Sequence, residues 1–231
     1  MSKRVVGILG GMGPEATVDL MQRVIKATPA EDDSDHIRML VDNNPQVPSR
    51  IKALIEKTGP SPAPVMIDMA KRLEAQGADF LAMPCNTAHH YYGEITASLR
   101  IPFLNITELA AEHIAERLPT LSRVGLLASS ALAPIALYEP AFATRRLEVL
   151  HPDAAAQTSL MALIQSVKAG RLRDEASALN AAVASLVEQG AEVLLIACTE
   201  LSIISDQVSS SLPTFDASQI LAERIVALAT E

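Results

Sequence analysis

The feature of this sequence that most constrains its fold is an internal repeat that carries both of the chain's cysteines. Residues 71–85 align with residues 184–198 without a gap, so that Cys85 and Cys198 occupy equivalent positions 113 residues apart. Two further pairs of matching segments occur in the same order along the chain, 6–9 with 124–127 and 101–104 with 212–215. Repetition at this scale indicates two copies of one structural module.

Short apolar runs alternate with longer amphipathic stretches along the chain, which is typical of parallel α/β units. Eight strands are predicted, at residues 4–10, 36–42, 79–84, 101–106, 123–128, 147–151, 192–197 and 213–216. With the repeat, this pattern predicts an α/β fold of two similar Rossmann-like modules, each with a four-stranded parallel sheet, related by pseudo-two-fold symmetry. The first module is expected over residues 1–105 with a C-terminal helix at 217–231, and the second over residues 106–216.

Composition argues against several classes of function. A formal net charge of −8 at pH 7 leaves no basic surplus to neutralise nucleic-acid phosphates. The longest apolar runs, such as residues 193–198, are too short to cross a bilayer, and the N-terminal apolar run reads as a first strand rather than a signal peptide. We therefore expect a cytoplasmic protein without nucleic-acid or membrane partners, whose two cysteines do not form a structural disulfide.

Both cysteines follow a predicted strand and precede a predicted helix. Ligands bind at the carboxyl ends of strands in open parallel sheets, so two facing modules would bring both thiols to one cleft. Moving the α-proton of an amino acid from one face to the other needs two acid–base groups on opposite sides of one carbon, and a thiolate with a thiol meets this need. A helix N-terminus would lower a thiol pKa from its usual value of roughly 8.5. The alternative is that each cysteine is a small buried core residue.

Polar residues follow each cysteine directly, Asn86 and Thr87 after the first, Thr199 and Glu200 after the second. Their side chains and backbone N–H groups could hold an α-carboxylate and stabilise the enediolate formed when the α-proton leaves. Helix N-capping explains the same residue types, and one group can serve both purposes.

An acidic protein that binds an anionic substrate needs local cations, for which Arg50 and Lys168 are candidates. Arg50 lies in the loop after the predicted second strand, and Lys168 ends a predicted helix in the second half. Each also has a structural interpretation: Arg50 suits a surface position at a helix start, and Lys168 precedes an ordinary helix end at Gly170.

Residues 11–16 fit the pattern G-x-G-x-x-A after the first predicted strand, so a dinucleotide site is the main alternative. Pro14 removes an N–H donor that a pyrophosphate would need, and Asp42 lies farther along the chain than the acidic residue of that pattern. We interpret the loop as a wall of a small-ligand pocket. A metal site or a Cys–His nucleophile formed by Cys85 with the nearby histidines is a weaker alternative, and no metal site is predicted.

Four segments together resemble the aspartate racemases of the aspartate/glutamate racemase superfamily: residues 8–14, 42–46, 83–89 and 197–201. The resemblance spans the whole chain. It implies a racemase that works without pyridoxal phosphate or another cofactor, with two α/β domains, a site between them and commonly a homodimeric assembly. Cys85 and Cys198 would be its paired acid–base catalysts.

The resemblance also implies which residues bind the substrate. Asn86, Thr87 and Thr199 would bind the α-carboxylate, Gln46, Arg50 and Lys168 would lie near the side-chain carboxylate, and Met12 and Ser130 would line the pocket. Ser49 and Ile164 depart from the aspartate-specific pattern, which often has Asp and Tyr at these positions. Aspartate is therefore the expected substrate, with glutamate or a broader set of amino acids as the alternative.

Two functions of other classes remain open at this point. An NAD(P)-dependent oxidoreductase would change absorbance with its nicotinamide cofactor, whereas a racemase interconverts enantiomers in plain buffer. A non-catalytic amino-acid-binding protein would keep its ligand affinity after loss of either cysteine.

Overall fold

The structure of the protein is a computed structural model that describes residues 3–171 and 175–231. The chain divides into two compact units, unit 1 (Met1–Ile106 and Ser218–Glu231) and unit 2 (Thr107–Ala217). Each unit has its own parallel sheet and its own hydrophobic core. The predicted α/β class with two parallel sheets is therefore confirmed.

The strands and helices of the described residues follow one another in this order: β1 (Val6–Gly10), α1 (Pro14–Ala27), β2 (Met39–Asn43), α2 (Ala63–Ala75), β3 (Phe80–Ala82), α3 (Tyr92–Thr96), α4 (Ile106–Arg117), β4 (Arg123–Leu127), α5 (Glu139–Ala143), β5 (Glu148–Leu150), α6 (Ala154–Lys168), α7 (Glu175–Glu188), β6 (Val193–Ile196), α8 (Thr199–Ile203), β7 (Thr214–Asp216) and α9 (Ala217–Thr230). None of the described helices combines the length and the apolar character that crossing a membrane requires.

The two sheets share one strand order. In unit 1 the order is β2-β1-β3, and in unit 2 it is β5-β4-β6-β7, with all pairs parallel. The first strand of each unit is central, and its apolar residues are buried because helices cover a parallel sheet on both faces. Each unit therefore presents the carboxyl ends of its strands along one edge of its sheet.

Packing around the central strand also repeats between the units. Gly7 in β1 and Gly125 in β4 are each enclosed by apolar side chains, so that an added Cβ atom would lie 2.5 Å from the nearest one at Gly7 and 3.0 Å at Gly125. The enclosing residues are equivalent in the sequence repeat: Leu73, Ala78 and Leu81 around Gly7, and Leu186, Ala191 and Leu194 around Gly125. The internal repeat of the sequence is thus a repeat of tertiary contacts, while the predicted pseudo-two-fold axis stays a prediction.

The first sheet differs from the prediction in its fourth strand. Residues 101–106, predicted as a strand, contribute a single parallel bridge between Leu81 and Phe103. Pairing stops there because β3 ends at Ala82 and the chain turns at once, with the Cys85 N–H donating to the Met83 carbonyl at 2.9 Å. Unit 2 has the full four strands, so the prediction of four strands per module is correct for unit 2 only.

Local sequence chemistry fixes where the helices beside the candidate site begin. Pro14 stands at the first position of α1, where its missing N–H costs nothing and its fixed φ suits a helix. Asp153 caps α6, since its Oδ1 accepts from the N–H groups of Ala155 and Ala156 at 2.8 and 3.0 Å. This cap sets the start of the helix that ends at Lys168.

Candidate active site

In unit 1, the loop between β1 and α1 packs closely against the segment that follows β2. Gly11 has φ of +91°, and a Cβ atom there would lie 2.2 Å from the backbone carbon of Asn44. Its N–H donates to Thr17 Oγ1 at 2.9 Å. The glycine is thus required by the approach of Asn44. Asp42, which the dinucleotide interpretation needs as a ribose ligand, is instead 3.2 Å from the guanidinium of Arg72.

Arg50 connects the two loops. Its Nη2 donates to the Met12 carbonyl at 3.2 Å, and its Nη1 donates to the carbonyls of Pro48 and Val47 at 3.1 and 3.4 Å. The structure therefore brings Arg50 and buried Met12 together, as two predicted site residues. Gln46 is exposed, and only its backbone N–H has a described bond, to Asn44 Oδ1 at 3.0 Å.

Cys85 lies three residues after β3 and is 5% exposed. Its carbonyl is 2.8 Å from Nδ1 of buried His89, whose Nε2 is 3.4 Å from the Leu104 carbonyl. Burial lowers the pKa of His89 to about 4, so the ring is neutral near pH 7 and donates one hydrogen, best placed on Nδ1. His89 therefore anchors the backbone of Cys85, a role that the sequence interpretation missed.

The residues directly after Cys85 remain beside it. Asn86 is buried, Thr87 is half-buried, and the Asn86 carbonyl accepts the His89 N–H at 2.9 Å within a short 3₁₀ turn. Because both ring nitrogens of His89 face carbonyl oxygens, its contacts are those of a structural residue. Across the described ranges, no group of three His, Cys, Asp or Glu side chains has the arrangement of a metal site.

In unit 2, a row of three side chains includes the second cysteine. Cys198 follows β6 and is 5% exposed, and its Sγ lies 3.2 Å from Oε2 of Glu200, which is 6% exposed. The other carboxylate oxygen of Glu200, Oε1, lies 3.4 Å from Nζ of Lys168, whose side chain is 45% exposed. We call these residues the Cys198–Glu200–Lys168 row.

The row determines the protonation of Cys198. Burial, followed by the charge of Glu200, raises the pKa of the Cys198 thiol well above its usual value, and Lys168 opposes this shift. Cys198 is therefore a thiol at neutral pH. The expectation that a helix N-terminus lowers this pKa is wrong in direction, because α8 is only five residues long and the carboxylate of Glu200 is in contact with the sulfur.

Further polar groups surround the backbone of Cys198. Ser202 Oγ donates to Asp216 Oδ1 at 2.7 Å, and the Ser202 N–H donates to the Cys198 carbonyl at 3.0 Å. Tyr138 is fully buried, and burial, followed by the charges of Asp216 and Cys198, raises its pKa. Thr199 is buried at the first position of α8. The second cysteine thus lies in a polar cluster within the core of unit 2.

Ser130 lies at a cavity of about 350 Å³ in unit 2. All its lining side chains are uncharged, and they belong to Ser130, Gln157, Thr158, Met161, Ala162 and Gln165. Ile164, which departs from the aspartate-specific pattern, is buried in the hydrophobic core with Val167. The cavity therefore offers apolar and amide contacts and no fixed charge.

The predicted site residues thus fall into groups within each unit. Met12 and Arg50 are in contact in unit 1, and Lys168 reaches the polar cluster of Cys198 in unit 2 through Glu200. The sequence named Glu200 with Thr199 as a group that could hold an α-carboxylate, and its contact with the cysteine sulfur was not predicted. The available signal was its position: Glu200 follows a strand-end cysteine by two residues at the start of a helix, where the two side chains can meet.

The similarity of this chain to known proteins extends over nearly its whole length. Residues 9–225 match the family described as Asp/Glu/hydantoin racemase. The chain is 32% identical over 226 residues to the broad specificity amino-acid racemase RacX of Bacillus subtilis, covering 96% of each protein. Among solved structures, an aspartate racemase from Picrophilus torridus superposes with a TM-score of 0.84 at 30% identity, over 98% of this chain and 94% of that chain. The glutamate racemase isoform RacE1 of Bacillus anthracis shares the fold, with a TM-score of 0.71 at 15% identity over 99% of this chain and 82% of that chain.

Proposed function

The chain belongs to the Asp/Glu/hydantoin racemase family of isomerases, and we propose that it interconverts the L- and D-forms of an amino acid with Cys85 and Cys198 as two bases. The observation that carries this assignment is the repeat itself. Each unit places one buried cysteine just after the third strand of its sheet, followed by polar residues. Two equivalent thiols suit a reaction whose substrate and product are mirror images.

In each turnover, one cysteine begins as a thiolate and the other as a thiol. The thiolate takes the α-proton, so that an S–H bond forms while the electron pair of the Cα–H bond moves into the α-carboxylate as an enediolate. The opposite thiol then donates its proton to the other face of the carbon and becomes the thiolate. This sequence balances without an electron acceptor or a carbonyl cofactor, and we infer that none is needed.

The enediolate carries more negative charge on its oxygens than the α-carboxylate of the substrate does. Hydrogen-bond donors at these oxygens therefore stabilise the transition state. We assign this task to Asn86, Thr87 and Thr199, which follow the two cysteines directly and are buried or half-buried. No positive charge is required there, since amide and hydroxyl donors suffice to bind a carboxylate.

We propose aspartate as the first substrate to test. Arg50 supports this choice, because its half-buried guanidinium offers a fork of donors to a side-chain carboxylate beside the Met12 loop. Two observations favour a broader set of amino acids as the second candidate. Lys168 is paired with Glu200, and the cavity at Ser130 has no charged lining.

The deciding experiment is a chiral assay of the purified chain with single L-amino acids in buffer without added cofactor. We expect the D-enantiomer of at least one amino acid to accumulate until the two forms are equal. Aspartate alone would support the first candidate, and racemisation of neutral amino acids would support the second. No racemisation of any amino acid, or turnover only with NAD(P), would overturn the assignment.

A further inference from the structure

We propose that Glu200 is a positioning residue for Cys198, holding the thiol proton while the sulfur acts as a base, and that Lys168 supports this pair through its ion pair with Glu200. This role presupposes that Cys198 is one of the two bases proposed above. Within the Cys198–Glu200–Lys168 row of unit 2, Glu200 would then hold a proton while Cys198 acts as a base.

The geometry of the row supports a shared proton. Cys198 Sγ and Glu200 Oε2 are 3.2 Å apart, so the thiol donates to the carboxylate. Both residues are buried, and two neighbouring negative charges in a buried site are strongly unfavourable. The pair therefore retains one proton, as a thiol with a carboxylate or as a thiolate with a carboxylic acid.

Transfer within the pair is balanced. The S–H bond of Cys198 breaks, an O–H bond forms at Glu200, and the net charge of the pair does not change. The resulting thiolate takes the α-proton and becomes a thiol again, while Glu200 keeps the first proton. The pair then holds two protons. In the opposite direction of reaction Cys198 donates its proton to the substrate, and the proton on Glu200 returns to the sulfur.

Lys168 completes the row from the other side. Its ammonium is 3.4 Å from Glu200 Oε1, so that a positive charge faces the carboxylate oxygen that does not contact the sulfur. Lys168 thus tunes how readily Glu200 accepts a proton from Cys198.

Other ionisable groups around Cys198 must be included in any pH experiment. Glu200 belongs to α8, Lys168 ends α6, and Tyr138 precedes α5 with its charge state coupled to Cys198. Asp216, at the end of β7, acts on Tyr138 and accepts from Ser202. Among the described side chains, the charges of Glu200 and Lys168 act directly and in opposite directions on the thiol, so that exchanging them one at a time separates their effects.

The test uses the full chain with Cys85→Ser, in which Cys198 is the remaining thiol, and follows its ionisation by thiolate ultraviolet absorbance. A Cys85→Ser/Cys198→Ser chain provides the background from tyrosines. Adding Glu200→Gln removes the negative charge beside the sulfur, and we expect the titration midpoint of Cys198 to fall by about 1–3 pH units. Adding Lys168→Ala removes only the opposing cation, and the midpoint should rise.

Kinetics of the chain with both cysteines give the second readout. Glu200→Gln should lower kcat by about ten-fold or more, with a shifted pH profile. Glu200→Asp keeps a carboxylate and should have a higher kcat than Glu200→Gln. Lys168→Ala should shift the pH profile of kcat in the direction opposite to Glu200→Gln, because the two charges act on the Cys198 thiol in opposite directions.

Two outcomes would overturn the role of the row. One is a titration midpoint of Cys198 that does not fall in Glu200→Gln. The other is a midpoint that also falls in Lys168→Ala, a variant that should fold normally because the Lys168 side chain is 45% exposed. The thiol titration needs no substrate. If the Cys198 titration shifts as expected while the parent chain racemises no amino acid, the interaction within the row is supported and the two-base function is refuted.

Discussion

Replacing each cysteine by serine tests the two-base mechanism most directly. Cys85 and Cys198 are buried, and serine has nearly the same shape, so that each single mutant should lose no more than about 2 kcal/mol of unfolding free energy. In Cys198→Ser, the new hydroxyl can still donate to Glu200 Oε2. Stability should therefore be nearly preserved while the acid–base group is lost.

The expected loss of activity is much larger than the loss of stability. Removing a positioned proton-transfer group lowers a rate by at least about 10²-fold, which equals a barrier increase of about 2.7 kcal/mol. Each single mutant retains one thiol, however. It should still exchange the α-proton of one enantiomer with D₂O, and the two mutants should select opposite enantiomers.

The assay is α-proton NMR of L- and D-aspartate in D₂O, or of whichever amino acid the chiral assay identifies. The double mutant, which has no thiol, is the matched control and should exchange neither enantiomer. Thermal unfolding of all three variants excludes misfolding as the cause. The two-base reasoning fails if either single mutant racemises at close to the parent rate, or if both mutants exchange the same enantiomer.

Three further predictions concern residues that support the site. Lysine in Arg50→Lys cannot reproduce the forked guanidinium, so one charge-assisted bond of about 1.5–3 kcal/mol is lost. We expect kcat/KM for aspartate to fall by roughly ten-fold or more, whereas the control Arg100→Lys, at an exposed position, should leave kcat/KM unchanged. Gly125→Ala should lower the unfolding free energy by about 1–3 kcal/mol through overpacking, whereas Gly93→Ala, with no atom within 4 Å of the new Cβ, should not destabilise the chain in urea unfolding. His89 has its pKa lowered from 6.5 to about 4 in the folded chain, so the unfolded chain binds more protons between these values. The parent should therefore lose about 2 kcal/mol of stability between pH 7 and pH 5, and His89→Gln should lose that pH dependence.

Much of the fold could be predicted because it depends on local patterns. Apolar runs and their spacing predicted all seven strands of the two sheets, β1 to β7. The strand predicted at 101–106 was wrong because pairing depends on its neighbour. The early end of β3 at Ala82 removes the partner, which the sequence of 101–106 itself does not reveal.

The candidate site was less predictable, because side-chain contacts join distant parts of the chain. The cysteines were found because they repeat in the sequence. The pairing of Lys168 with Glu200 joins residues far apart in sequence, so that the local pattern around Lys168 did not predict it. Ile164 departs from the aspartate-specific pattern in sequence, and its burial in the core became visible only from the packing of its helix.

The last helix, α9, affects the order in which the two units are completed during synthesis of the chain. Helix α9 belongs to unit 1, and the Arg4 N–H donates to the Ala229 carbonyl at 3.0 Å. A chain emerging from the ribosome therefore contains all of unit 2 by Ala217, when unit 1 still lacks this helix. Domains usually mature in the order of their synthesis, but here the unit that is translated first is the last to be completed.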